Sequence, residues 1–345
     1  FAADTLDFST SWTAAGLAIR QLALRSPDGR VDIDGLVAPA SGYPSQGKAT
    51  FEWRVQERRY AGTLDAGSDA KTAHLNLALT EPVPATLALA LTQESRWPWT
   101  LALRVPRFDS KRLAPDSTLG GLALALDGSG DRDGGTLTGA ADLDAHRVVI
   151  DPLRFGYDGK ALRLDALTLH SPDAAGQLDA SGTIALAATP PLAKLDFVWG
   201  GVELPADLVG QTLATHGKLA FDGSVESYAA NGALTIGPPG RPANIELDLA
   251  GTAQTVSLKR LALKQLEGGL EASGEIALKP ALGWKITATA SKFDPGAFAA
   301  QWPGAVDFAL SSEGTLTDRG PQAVLKLDRL GGTLRQRPLA GKIDL

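Results

Sequence analysis

Leucine returns at every second position in Leu87-Ala88-Leu89-Ala90-Leu91, and no feature of this chain constrains its fold more. On a helix those three leucines scatter over about 200°, whereas on a strand they share one face. Leu and Ala favour helices intrinsically, so propensity opposes the strand reading. Punctuation supports it. Gly or Pro recurs every 10 to 15 residues or so, which leaves segments of strand length.

The alternation recurs along the whole sequence. It appears at Phe51/Trp53/Val55, Leu75/Leu77/Leu79, Leu101/Leu103/Val105 and Leu122/Leu124/Leu126. It continues at Leu167/Leu169, Ile184/Leu186, Leu195/Phe197/Trp199, Leu219/Phe221, Leu234/Ile236 and Ile245/Leu247/Leu249. The last examples are Leu261/Leu263, Ile276/Leu278, Val306/Phe308/Leu310 and Leu325/Leu327. Ala, Thr, Asp, Glu, Lys or Arg stands between them. Each strand thus has one large apolar face and one small or polar face, as in antiparallel sheets with one covered side. No alternation of strands with helices is visible, which excludes a parallel α/β fold. The spacing predicts a short helix over 294–302, where Asp294 caps, Pro295 opens and Pro303 stops it. Similar turns are expected at 109–113 and 205–210.

The strands repeat as a larger unit. Residues 99–109, 195–205 and 284–294 are each one strand running into a short turn. An apolar strand then closes on Gly128, Gly223 or Gly314. A second element, Leu-x-Leu followed by Gly, recurs at Leu22/Leu24/Gly35, Leu167/Leu169/Gly182 and Leu261/Leu263/Gly274. The unit is about 92 residues, with approximate boundaries at 19–109, 110–205, 206–298 and a partial copy at 299–345. A repeat with no core of its own must stack on its neighbours. The expected fold is therefore all-β, an elongated and twisted antiparallel sheet curled into a groove with an apolar interior.

Composition sets further bounds. The chain has 345 residues, a net charge of −6 and no cysteine, which excludes disulfides, thiolate metal sites and a Cys nucleophile. Basic residues are dispersed among acidic ones, unlike the basic stripe of a nucleic-acid binder. Apolar runs such as residues 84–91 stop well short of the ~20 residues that span a bilayer as a helix. The sequence starts at Phe1 and contains no Met, so it reads as one continuous section of a longer protein. Gly is abundant at 38, and aromatics are scarce at 6% against 44% apolar residues overall. Scarce aromatics deprive a compact core of its largest side chains; a thin or open interior tolerates that better.

With the repeat established, the sequence resembles the TamB family, a branch of the AsmA-like group. The residues that carry the likeness are Ala180-Ser181-Gly182-Thr183-Ile184, Trp199 ahead of Leu204-Pro205, and the Gly217–Gly223 segment followed by Tyr228. Further on they are Gly268-Gly269 with Ser273-Gly274, Phe293-Asp294-Pro295 with Trp302-Pro303-Gly304, and the stretch from Leu330 through Pro338 to Gly341. The likeness is good over roughly residues 160–345 and vaguer before. Its motifs are turn glycines, prolines and strand ends. The resemblance implies a β-taco in the periplasm, with the parent protein anchored in the inner membrane by an N-terminal segment. It implies phospholipid transport towards the outer membrane. It also implies work with an outer-membrane barrel partner, TamA, in assembling outer-membrane proteins, through parts of the parent chain outside this section.

Catalytic and cofactor motifs do not complete themselves. Gly42 through Gly47-Lys48 nearly spells a phosphate-binding loop, but Ala49 replaces the magnesium-binding hydroxyl and a strand follows instead of a helix. Nucleotide binding is therefore not expected. His74, His146, His170 and His216 are isolated and lack zinc spacing. Asp127, Asp131 and Asp133 lack the terminal glutamate of a calcium loop and read as a hairpin turn. No nucleophile elbow occurs. The expectation is a protein without catalytic residues, metal or cofactor.

The candidate functional residues are those of the leucine face. They are Leu75, Leu77, Leu79, Leu87, Leu89, Leu91, Leu101, Leu103, Leu122, Leu124, Leu126, Ile184, Leu186, Leu195, Phe197, Trp199, Leu219 and Phe221. In the last third they are Leu234, Ile236, Ile245, Leu247, Leu249, Ile276, Leu278, Val306, Phe308, Leu310, Leu325 and Leu327. An ordinary sandwich core explains such a face as well as a groove does. Scarce aromatics, the repeat and the family resemblance favour a groove for phospholipid acyl chains. The rival readings are a chaperone-like surface offering strand edges to folding barrel proteins, and a carbohydrate-active β-helix, for which no outward cluster of carboxylates and aromatics is seen.

Overall fold

The computed structural model describes residues 4–39, 44–55, 58–113, 120–144, 146–204, 206, 210–238, 240–279, 281–317 and 320–344. The chain divides into two compact units, residues 1–157 with 171–173, and residues 158–170 with 174–345. The first unit contains β1 (Thr5–Thr13), β2 (Gly16–Ser26), β3 (Gly29–Val37), β4 (Ser45–Val55), β5 (Arg58–Ser68) and β6 (Thr72–Glu81). It continues with β7 (Ala85–Thr92), β8 (Trp99–Asp109), β9 (Gly121–Asp131), β10 (Gly134–Leu143) and β11 (His146–Tyr157). The second unit contains β12 (Ala161–His170), β13 (Gln177–Ala185), β14 (Leu192–Leu204), β15 (Leu213–Gly223), β16 (Tyr228–Gly237) and β17 (Ala243–Gly251). It ends with β18 (Thr255–Lys264), β19 (Gly269–Ala277), β20 (Gly283–Phe293), β21 (Gly304–Thr317), β22 (Gly320–Leu334) and β23 (Arg337–Asp344).

Within each unit every strand pairs antiparallel with its predecessor and successor in sequence, as a meander. The second unit follows the same rule from β12 to β23. Neither meander closes into a barrel among the described residues. The fold is all-β and antiparallel, as the period-two alternation predicted.

Bulges interrupt the pairing, for example between Ile19 and Leu22, Trp199 and Val202, and Leu258 and Leu261. Each adds local right-handed twist and changes which parity of residue faces inward. Aspartates pin several turns. Asp69 Oδ1 accepts from the Lys71 and Thr72 amides at 2.7 Å each. Asp158 Oδ1 accepts from the Lys160 and Ala161 amides. Asp144 accepts from those of Gly120 and Gly121. These amide donors hold all three carboxyls below the ordinary aspartate range.

The helix expected at 294–302 is instead a single 3₁₀ turn, Pro295–Ala297. Asp294 caps it as predicted, accepting from the Gly296 amide at 2.9 Å. A longer α-helix needs the Ala297 carbonyl for the amide four residues on. That carbonyl is taken by Gln211 Nε2 at 3.1 Å. The turn at 109–113 is likewise a 3₁₀ turn, Ser110–Arg112, capped by Asp109. Most of 205–210 lies outside the described residues; Gly210 N donates to Ala206 O. Gly47 and Lys48 sit within β4, and the start of that near-motif, Gly42 and Tyr43, lies outside the described residues.

The buried apolar residues are mostly small: Ala23, Ala140, Ala180, Ala230, Ala243, Ala262, Ala290 and Ala297, with Val83, Leu213, Leu263 and Val306. Among the described residues no large side chain is fully buried. A closed two-layer domain buries its leucines completely; these meanders, among the described residues, do not.

Candidate functional site: a single-layer apolar face

The register aligns the predicted leucines into continuous rows. In the second unit one row runs Phe197, Leu219, Gly232, Leu247, Leu261, Ala272, Ala288, Leu310, Leu327 across nine strands. The next row includes Leu195, Phe221, Ala230, Leu249, Leu258, Gly274 and Ile286, and ends at Ser312 and Leu325. A third runs Trp199, Gly217, Leu234, Ile245, Leu263, Leu270, Ala290, Phe308, Leu330. Ile184 and Ile276 lie in an outer row, with Leu186 and Leu278 just past their strands, and Ile236 and Val306 lie at the opposite end of the face.

In the first unit one row is Ile33, Ala49, Leu64, Leu77, Leu87, Leu103, Leu126. Beside it run Gly35, Gly47, Ala66, Leu75, Leu89, Leu101, Gly128 and Leu137. Leu79, Leu91, Leu122 and Leu124 extend the same face towards its two ends. All the candidate residues therefore lie on one face of their sheet. Strict period-two reading missed Ile33, Leu64, Ile150, Leu153, Leu258, Ile286 and Leu330. Leu258, Leu153 and Leu330 stand beside bulges, where alternation skips a beat.

Most of these side chains are half-buried and lie beside their row neighbours. Glycine and alanine punctuate the rows and leave recesses. One recess in the first unit, about 550 Å³, is lined by Ile19, Ile33, Val37, Leu64, Leu75, Leu89 and Leu91 over a floor of Gly35, Gly47 and Ala66. Large rings lie down over glycines instead of standing up. A Cβ on Gly314 would meet the Trp284 indole at 2.6 Å, and one on Gly135 would meet that of Trp99 at 2.4 Å. The indole N–H groups are already used: Trp99 donates to Asp131 O at 2.9 Å, Trp199 to Thr215 Oγ1 at 3.1 Å and Trp284 to Ser312 Oγ at 2.9 Å. Among the described residues no buried side-chain polar atom lacks a hydrogen-bond partner.

The opposite face is polar and laced with exposed ion pairs, such as Lys194–Asp222, Arg260–Glu246 and Lys285–Glu313. Such pairs contribute little stability and keep that face wet. Two shallow hollows in the second unit, about 610 and 460 Å³, lie on this side. Their linings mix Ala, Ser and Thr with Asp196, Lys218, Glu246, Glu271 and Arg260. Arg96, from the connection between β7 and β8, binds Asp131 and Asp133 at the β9–β10 turn, and this guanidinium is the chief cause holding Asp131 below the ordinary range. Among the described residues no cluster of His, Asp and Glu suits a metal ion.

One end of the second unit's apolar face is covered. The 294–303 segment folds back over it, with Phe293 and Phe298 stacked at 6.3 Å. Gln265 exchanges two 2.8 Å hydrogen bonds with the Asp294 backbone. Arg241 Nη1 lies 3.6 Å from Asp294 Oδ2. Gln211 reaches Ala297, although β15–β20 lie between their hairpins. On a flat sheet six strands at ~4.8 Å would set those hairpins about 29 Å apart. The segment runs back along the edge and the sheet draws in beneath it. Leu213, Ala243, Leu263, Ala290 and Val306 are buried there.

The fold and this face define a class: an antiparallel β protein in which each unit is an open meander with rows of apolar side chains along one face. The sequence matches the TamB N-terminal domain over residues 168–344, and the chain belongs to the TamB family. No curated protein and no solved structure matches it.

Proposed function

We propose that this chain is a non-catalytic section of an envelope conduit, and that its apolar face carries phospholipid acyl chains between the inner and outer membranes of a Gram-negative bacterium. The observation that carries this reading is the half-buried leucine face, in continuous rows and with no buried side-chain polar atom left without a partner among the described residues. An acyl chain replaces bilayer contacts with side-chain contacts at about 0.8 kcal/mol per buried CH₂, and it needs no hydrogen bond. A peptide lying on the same face would leave its backbone groups unpaired. Diffuse contacts of this kind let the lipid slide, with its headgroup at the wet margin. No helix among the described residues is long and apolar enough to cross a membrane, and the proposal places the chain in the periplasm.

A second reading rests on β1. Its Leu6, Phe8 and Trp12 are exposed, and β1 pairs only with β2 among the described residues. Such an edge can accept a strand from a folding outer-membrane protein by β-augmentation, working with a TamA-like barrel. A photo-crosslinker at Leu89 or Leu247 separates the two readings. Phospholipid adducts are expected at both positions. Polypeptide adducts in their place, or none, defeat the conduit reading. Leu247→Asp should lower lipid adducts at neighbouring positions at least about tenfold with the strand content unchanged by circular dichroism.

A further inference from the structure

If lipid lies on this face, it must get on and off, and the two margins of the second unit are not equivalent. We infer that phospholipid loads sideways over one lip only, the lip formed by the hairpins after odd-numbered strands, and that the 294–303 segment is a fixed wall along the other; this rests on the conduit reading above.

The wall side consists of the hairpins after β14, β16, β18 and β20. Bonds here join separate hairpins: Gln211 to Ala297, Arg241 to Asp294, and Gln265 to Asp294 twice. The apolar positions beneath are closed, with Val306 only 6% exposed. An acyl chain entering there must break these bonds and displace the stacked Phe298.

The other side consists of the hairpins after β13, β15, β17, β19 and β21. Its backbone bonds, such as Leu278 N to Gln254 O and Leu316 N to Leu282 O, only extend the ladders of neighbouring strands. No segment folds over the face among the described residues. The apolar surface runs out to the margin and beyond it: Leu186 and Leu316 are 47% exposed and Leu278 is 45% exposed. An exposed apolar margin of this kind is continuous with the face it leads to and marks a contact site. Immediately inside it, Tyr228 and Trp284 lie flat over Gly251 and Gly314. Trp284 has spent its donor on Ser312, and Tyr228 stacks on Phe221 at 5.7 Å. A chain crossing this lip meets leucine, then a ring face, then the leucine rows, and breaks no protein–protein hydrogen bond. The headgroup stays outside in water.

The test uses the full chain with a photo-crosslinker at Leu278, Leu316, Leu266 or Leu247 in turn, mixed with phosphatidylethanolamine–phosphatidylglycerol vesicles and sampled over time by mass spectrometry. Leu266 is the control, because it is 97% exposed on the wall side. Lipid adducts at 278 and 316 should rise no later than those at 247, and those at 266 should stay at least about tenfold lower. Paired L278D and L316D should slow loading at 247 about tenfold, equivalent to ~1.4 kcal/mol on the barrier. L266D should leave it unchanged. Labelling at 266 as early as at 278, or equal slowing by L266D, overturns one-sided loading while leaving the conduit intact. No lipid adduct at 247 in the parent chain overturns the conduit reading, and this inference with it.

Discussion

The two units use the same meander and the same leucine rows, yet they finish their apolar faces differently. In the first unit the face stays open over a recess floored by Gly35, Gly47 and Ala66. In the second, a ten-residue segment between β20 and β21 folds back and buries one end. The family match falls almost wholly on the second unit. The rows alone make a surface, and a strap held by a few glutamine and aspartate contacts turns part of such a surface into a small core. Stability and the proposed function should accordingly separate: the strapped end is expected to carry folding energy, and the open rows, on the conduit proposal, the lipid.

The largest expected effect breaks that contrast directly. Val306→Asp places a carboxylate under the strap and should cost about 3 kcal/mol or more. Leu89→Asp, on the open recess of the first unit, should cost only about 1 kcal/mol because the new charge stays wet. Urea midpoints of the two variants measure the difference; equal losses would mean that the open rows are a closed core in solution.

A smaller effect tests the strap itself. Gln265→Ala removes both bonds to the Asp294 backbone and should cost about 1–2 kcal/mol. Hydrogen exchange should show the loss at the amides of 294–304 while the first unit keeps its protection.

The smallest effect should be common to both units. Asp69 and Asp144 in the first and Asp158 in the second have carboxyls held low by turn amides. A lowered native pKa stabilises above the unfolded value of about 3.9 and is lost as pH falls through the lower native value. Both units should therefore keep their turns at pH 5 and above, and fray progressively below about pH 4. Amide exchange of Thr72, Gly121 and Ala161 reads this out; fraying that begins near pH 6 would point to histidine and contradict the assignment.

Much of this was legible in the residues. Leu87, Leu89 and Leu91 fall on one face because strand pleating is local and has a period of two. Asp294 caps its turn because a carboxylate two residues before an amide needs no distant help. The missed residues have a physical reason. Leu258 and Leu261 both join the apolar face because a bulge absorbs the odd spacing between them, and bulges answer to the partner strand. The length of the 294–302 helix failed for a similar reason: its carbonyl went to Gln211, 86 residues away in sequence.

The class of fold, the alternating faces of the strands between bulges, the capped turns at Asp109 and Asp294 and the family likeness were thus fixed by residues alone, because they follow from local geometry and short motifs. Tertiary structure alone decided which stretches of the apolar face are covered and which lie open, where the tryptophans lie down over glycine, and which margin is walled. Those outcomes depend on contacts between hairpins several strands apart, and no local periodicity encodes how far a sheet draws in at one end.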